Sequence, residues 1–385
     1  MKSGHPVRRI PFVASLVALL ALPACSSLNP FADSAARLPE LAAFQATGEL
    51  RVVWQSRVGS AANYTFQPAV AGQAVYAAAH DGTVVRIQDG ATTWSANAGK
   101  RLSAGVGSNG RIVAVVTTDG ELVSLDATSG AQLWRAPVGA EVLAPPAVSD
   151  AIVVVRASDG RLIAFDAADG SRRWLYQRTM PALSLRSAAG VVMADRALVA
   201  GFPAGKVAGL SAENGGLLWE LAVASPRGVT ELERITDVAG TPVLWRSEIC
   251  AVAYQGRIGC FDLANGRPLW SREMSSSVGL ARDARFVYVT EDNDAVHGLD
   301  AFGGASVWKQ DSLRRRGVTR PLAMTAAVVV GDREGVVHAL DRETGQFVAR
   351  LRADDSAIAA DPQAFGADRF VIQTREGGIF ALEAR

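Results

Sequence analysis

The sequence predicts an all-β fold: a single eight-bladed β-propeller of four-stranded antiparallel blades over residues 44–385, its last blade closed by a strand from the N-terminal end. Three observations carry this prediction. Trp54, Trp94, Trp134, Trp174, Trp219, Trp270 and Trp308 recur at intervals of 40, 40, 40, 45, 51 and 38 residues. In six successive units a Gly (Asp294 in one) stands 14 residues before the Trp place and a second Gly stands 4 before it, with Ala349 at the Trp place of the last. An eighth unit runs from Pro362 and stops at Arg385 one strand short, while residues 50–54 offer an unmatched strand at the other end.

Each unit reads as four strands. In one of them Pro145-Pro146-Ala147-Val148 supplies the first and Ile152-Val153-Val154-Val155 the second. Asp159-Gly160 provides the positive φ of a hairpin turn, and residues 161–165 form the third strand. Asp166 and Gly170 make a second turn, after which Trp174 opens the fourth strand. Continuous apolar runs such as Ala326-Ala327-Val328-Val329-Val330 suit strands buried on both faces. The tryptophans are expected to stack between neighbouring blades. Pairing the two chain ends in one blade leaves no long sheet edge exposed.

The first 24 residues read as a secretory signal. Lys2, Arg8 and Arg9 precede an almost wholly apolar run over residues 10–22, too short to cross a membrane. The run ends at Leu22-Pro23-Ala24-Cys25, which resembles the lipobox of bacterial lipoproteins. That resemblance implies an acylated Cys25 (palmitate among its chains) as the first mature residue, and Ser26 after it implies the outer membrane. Residues 25–43 carry no strand pattern and read as a flexible tether. Removing the signal takes away three positive charges and no acidic ones, so the formal charge of +1 becomes −2. No large field of one sign results, which argues against nucleic acid as a partner.

Little in the sequence points to catalysis. Gly105-Val-Gly107-Ser-Asn-Gly110 matches a dinucleotide-binding pattern but lies between blade strands with no helix to follow. His80, His297 and His338 are widely spaced and lack metal-ligand spacing, so no metal and no cofactor are expected. Asp126, Asp166, Asp262, Asp300 and Asp341 hold a fixed place in their units and read as turn residues. Arg314-Arg315-Arg316 reads as a solvated loop. Cys250 and Cys260 flank one hairpin in a chain bound for an oxidising compartment. A two-residue loop would put them on opposite faces and a three-residue loop with a bulge directly across, so a disulfide stays open.

The unit written Asp-Gly, Leu-Asp, Gly, Trp resembles the repeats of the quinoprotein (PQQ) dehydrogenases. It also resembles those of their non-enzymatic relatives, the BamB family of lipoproteins of the outer-membrane β-barrel assembly machinery. The enzymes carry an adjacent Cys pair and long acidic insertions, and this chain has no adjacent Cys pair. A lipobox, a tether and eight bare blades are similar to the BamB pattern over nearly the whole chain. Two interruptions of the repeat strengthen the likeness. Leu183-Ser184-Leu185-Arg186, in the insertion 178–189, is similar to the family's loop that docks on the POTRA domains of BamA. Glu231-Leu-Glu-Arg234-Ile-Thr-Asp237-Val-Ala239, in the insertion 224–241, is similar to its second docking loop, although the family often has an acidic residue in place of Ala239.

The resemblance implies a non-enzymatic scaffold that aids folding and insertion of outer-membrane proteins. Its partners would be a BamA-like protein, other members of the complex and nascent outer-membrane proteins. Leu183, Leu185, Arg186, Arg234 and Asp237 would be the partner-binding residues. Apolar anchors beside an Arg fit such a role in composition. The alternative is a quinone-dependent or ligand-sensing propeller. The anchor is directly testable: Cys25→Ser should move the protein from the membrane fraction to the soluble one with an unchanged melting curve. Unaltered partitioning with no lost acyl label would refute lipidation at this position.

Overall fold

In the computed structural model the described residues are Met1, Gly4 and 38–385. The leader, Cys25 and the tether as far as residue 37 lie outside them. The rest forms eight four-stranded antiparallel sheets. Blades 1 to 7 span residues 69–97, 102–137, 147–177, 191–222, 243–273, 280–310 and 322–352. Blade 8 combines residues 363–384 with the N-terminal strand Leu50–Arg57, which pairs antiparallel to Gly378–Ala384. First strands of blades 1 to 7 lie against one another in succession, and that of blade 8 lies against that of blade 1. They therefore line the centre, and the tryptophan-bearing strands form the rim.

A repeated bulge aims each tryptophan. In blade 3, Ala164 faces Trp174 but Phe165 faces Arg172, so Arg173 is the extra residue. The same slip occurs before Trp94, Trp134, Trp219, Trp270 and Trp308. The borrowed strand of blade 8 repeats it, with Val52 facing Leu382 and Trp54 facing Ala381. Bulges bend a strand and turn its side chains, here toward the next blade.

The indole then rests on the second glycine of that next blade. A Cβ on Gly170 would stand 2.5 Å from the Trp134 ring, and one on Gly304 2.3 Å from the Trp270 ring. These glycines also hold φ near +70° (+74° and +69°), so space and backbone both select them. The indole nitrogen completes the joint: Trp134 Nε1 donates to Ala167 O at 2.9 Å and Trp270 Nε1 to Ala301 O at 2.9 Å. Gly90 also meets Trp54 where the ring closes, with Cβ and Cγ of Trp54 2.8 and 3.3 Å from where its own Cβ would stand. Ala349 replaces Trp at the one joint where the next blade's turn is absent, because blade 8 is split between the chain ends. There Thr47 and Gly48 donate their N–H groups to Val348 O instead, at 3.1 and 3.2 Å.

The recurring aspartates are turn residues. Asp126 Oδ1 accepts from Thr128 N and Ser129 N at 3.0 and 2.7 Å, and Asp262 and Asp300 cap their turns likewise. Gly105 and Gly107 sit in a first strand, where a Cβ on Gly107 would lie 2.0 Å from Pro146 O, so close packing at the centre explains them. Cys250 and Cys260 are directly opposite in register across a three-residue loop, and their sulfurs are bonded.

Two expectations need correction. Arg314 and Arg315 are exposed, but Arg316 is 1% exposed, because Asp332 and Glu334 draw its guanidinium inward. The tether was expected to run free to residue 43, yet its last part lies against blade 7. Leu41 and Phe44 pack on the core of blades 6 and 7, where apolar burial outweighs the chain entropy of a short segment.

The indole–glycine joint makes a graded prediction. Gly139 has φ +70° but open space at its Cβ, whereas Gly170 has φ +74° and an indole there. Gly139→Ala should cost about 1–2 kcal/mol, from backbone conformation alone. Gly170→Ala should cost that plus about 1–3 kcal/mol of overpacking. Equal losses in denaturant melts would show that the indole contact does not select the glycine.

Candidate functional site

Two connections exceed the short links found elsewhere: residues 178–190 between blades 3 and 4, and residues 223–242 between blades 4 and 5. Both are loops because they interrupt the apolar alternation of the strands, and both leave the fourth strand of one blade for the first strand of the next. The question is whether they hold a shape.

The first loop does, and Asp237 of the second is the reason. Asp237 is buried, and its carboxylate accepts the Leu185 N–H at 2.6 Å and the Ala204 N–H at 3.2 Å. Two backbone donors that would otherwise be unpaired in the interior are thereby satisfied. Beneath the loop lies Arg156. Its Nη1 donates to Ser187 Oγ at 3.2 Å and to Ala189 O at 3.0 Å. Burial pulls the Arg156 guanidinium down to about 10, and the Asp237 carboxylate opposes that shift, so Arg156 stays charged at neutral pH. A cavity of about 190 Å³ separates the loop from the blades, walled by Leu143, Arg156, Met180, Leu185 and Phe202.

On this support Leu183 projects outward, 46% exposed, while Leu185 is half-buried. Arg186 is exposed. Its Nη2 donates to Glu141 Oε1 at 2.8 Å, and its guanidinium lies 5.5 Å from the Tyr64 ring centre. Tyr64 is itself stacked on His80 at 5.1 Å. The loop thus reaches over the connections entering blades 1 and 3.

The second loop rises as one helical turn. Glu233 Oε2 accepts from Val229 N and Thr230 N at 2.9 and 3.0 Å, and Thr230 Oγ1 accepts from Glu233 N at 3.2 Å. This reciprocal capping box stabilises a turn that has no core contact of its own. Val229 is 95% exposed and Leu232 67%. Arg234 is exposed, its Nη1 3.9 Å from Glu231. From Thr236 onward the loop descends, and Thr236, Asp237, Val238 and Ala239 are buried.

The sequence-derived residues therefore divide. Leu183, Arg186 and Arg234 are accessible, Leu185 partly so. Asp237 was expected among the partner-binding residues and is instead a buried support for the loop that carries Leu183. Ala239 is buried and offers no surface. Val229 and Leu232 were not singled out, although two apolar residues beside a Thr-x-x-Glu capping signature were a readable sign of an exposed apolar turn. Among the described residues no cluster of three or more His, Cys, Asp or Glu is arranged to hold a metal. His297 and His338 are engaged with Glu291 and Asp332.

Comparison with known proteins bears on this surface. The family described as outer membrane protein assembly factor BamB matches residues 81–310 and 295–385. The chain is similar to the protein so named in Bordetella pertussis, with 40% identity over the whole of both chains. It is 43% identical to that of Pseudomonas aeruginosa over 93% of this chain and 95% of the other. Among solved structures, BamB from Moraxella catarrhalis superposes with a TM-score of 0.81 at 27% identity, covering 87% of this chain and all of that one. The quinohemoprotein alcohol dehydrogenase of Comamonas testosteroni gives 0.71 at 12% identity over 87% of this chain and 76% of that one, which is a likeness of fold alone.

The support predicts its own test. Asp237→Asn removes one acceptor and the negative charge that faces Arg156. The change should cost about 1–3 kcal/mol of stability. Amide exchange at Leu185 should accelerate at least about tenfold while the blade cores stay protected. Unchanged exchange at Leu185 would show that the carboxylate does not hold the loop.

Proposed function

This chain belongs to the BamB family, that of the outer membrane protein assembly factors, and from that premise we propose that it is a non-enzymatic scaffold that docks through the loops joining blades 3, 4 and 5. The partner is the POTRA region of a BamA-like protein, within a complex that folds and inserts outer-membrane proteins. The chain works lipid-anchored by Cys25 in the outer membrane and faces the periplasm.

The observation that carries this reading is an exposed Leu183 on a loop fixed from below by Asp237 and Arg156. A loop held in one shape loses little entropy on binding, so its apolar anchor delivers most of its burial as affinity. The flanking charges suit a rim. Arg186 and Glu141 are 56% and 41% exposed, and an ion pair so solvated is worth little. Arg186 can exchange Glu141 for a partner's carboxylate at small cost. Arg234 stands in the same condition beside Glu231. An apolar centre with exchangeable charged flanks is the composition of a protein interface. The relatives at about 40% identity carry the assembly-factor name, whereas the dehydrogenase likeness does not extend beyond fold.

Leu183→Ala combined with Arg186→Ala should weaken capture of a BamA-like POTRA fragment at least about tenfold, since truncating a buried anchor costs about 2 kcal/mol or more. The melting curve should not move, because neither side chain is part of a blade. Arg314→Ala with Arg315→Ala, exposed on another connection, should bind normally. Wild-type capture by the loop variant, or loss only through unfolding, would overturn the docking assignment.

A further inference from the structure

Blade 7 carries four polar side chains whose arrangement the ring does not require. Arg316 enters from the connection before the blade, Asp332 from the turn between its second and third strands, and His338 and Arg350 from its third and fourth strands. Asp332 Oδ2 accepts from Arg316 Nε at 2.8 Å and from His338 Nε2 at 3.1 Å. Burial works against the Asp332 carboxylate, but His338 and Arg316 hold it down at about 2. Burial also pulls His338 below its ordinary value, so its ring is neutral, and Nδ1 is free to accept from Arg350 Nε at 3.2 Å.

Both ends of this chain of contacts finish on the N-terminal segment. Arg316 Nη1 donates to Pro39 O at 2.5 Å, and Arg350 Nη1 donates to Ala42 O at 3.1 Å. The Arg350 guanidinium lies 4.9 Å from the ring centres of both Phe44 and Phe347, which are 5.3 Å apart. Arg316, Asp332 and His338 are at most 1% exposed. Burying charges is costly unless they are paired and saturated. Here the backbone carbonyls of residues 39 and 42 take Arg316 Nη1 and Arg350 Nη1, and only Arg350 Nη2 of that guanidinium stays buried without a partner.

We infer that blade 7 is a docking site for the chain's own membrane-proximal segment, Pro39–Phe44, and that the propeller hangs from the membrane by this blade. The hanging point rests on the lipid-anchored reading of Cys25. With the segment docked, 13 residues (26–38) separate the lipid from the blade, a reach of at most about 45 Å. Were it undocked, the next fixed point would be Thr47, and 21 residues would reach about 70 Å at full stretch. The loop bearing Leu183 joins blades 3 and 4, three to four places round the eight-membered ring. Docking therefore turns the proposed partner surface away from the anchored edge.

Chymotrypsin reads the docking in the soluble full chain carrying Cys25→Ser, through its cleavage after Leu41. Arg350→Gln and Phe44→Ala should each raise that cleavage at least about tenfold over the unaltered segment, since cutting follows the population of the opened state. Phe44→Ala acts from the segment side and keeps the test valid if Arg350→Gln destabilises the blade. Cleavage after Leu41 that is equally fast in all three would overturn the docking site. The hanging point is read in the lipidated chain on phosphatidylethanolamine–phosphatidylglycerol vesicles bearing a headgroup quencher. A dye on Ser312→Cys, beside blade 7, should be quenched more than one on Ala182→Cys, and Phe44→Ala should remove the difference. Equal quenching without Phe44→Ala would overturn the hanging point. A chain that never joins the vesicles would refute lipidation while leaving the protease result to decide the docking.

Discussion

An indole laid on a glycine of the next blade is the contact from which the rest of the molecule follows. Each such joint buries a large aromatic surface, on the order of 4 kcal/mol for about 150 Å² before entropy is counted. It also fixes orientation, because the indole N–H reaches a backbone oxygen of the same turn, as Trp308 Nε1 does with Arg342 O at 2.8 Å. The bulge before each Trp aims the ring, and the residue opposite is small in most blades, where Ala164, Gly209, Cys260 and Gly298 fill that place, while Arg86 faces Trp94. A blade cannot shift without breaking the joints on both sides.

That rigidity is what makes the loops informative. Connections between blades are set at both ends by strands that cannot move, so a longer one either collapses onto the blades or is propped away from them. The Leu183 loop is propped. Arg156 and Asp237 are opposite charges beneath it, and each finds backbone groups of the loop or of the blades to satisfy it. The result is an apolar side chain held in solvent by buried polar groups, the reverse of the usual distribution. In the second connection a capping box does the same for Val229 and Leu232 with local contacts alone.

Blade 7 uses the same device inward. Its buried Arg316, Asp332 and His338 would be a poor core by themselves, because ion pairs removed from water rarely repay their desolvation. The carbonyl of residue 39 accepts from Arg316, that of residue 42 accepts from Arg350, which donates in turn to His338, and Phe44 packs on Phe347 beside them. The one blade whose Trp place holds Ala349 is also the one that receives the N-terminal segment. Both features follow from the split of the neighbouring blade between the chain ends.

Much of this architecture was legible in the residues. Tryptophan spacing and the two glycine offsets report a local rule repeated from unit to unit, and local rules are written in sequence because each turn needs its own φ and each joint its own small residue. The borrowed strand could be read from an incomplete final unit, and the two long connections from the intervals that broke the rhythm. What sequence could not decide were the contacts between residues far apart along the chain. Asp237 looked like a surface charge beside Arg234, but the N–H groups it accepts from, those of Leu185 and Ala204, come from the preceding connection and from a hairpin of blade 4. Arg316 looked like its two neighbours in a basic run, but Asp332 and a carbonyl from residue 39 draw it inside. Whether a charged side chain is solvated depends on which distant partners the ring brings to it. Local pattern alone determined the propeller, and only its closure decided which of its loop residues face a partner and which hold the others in place.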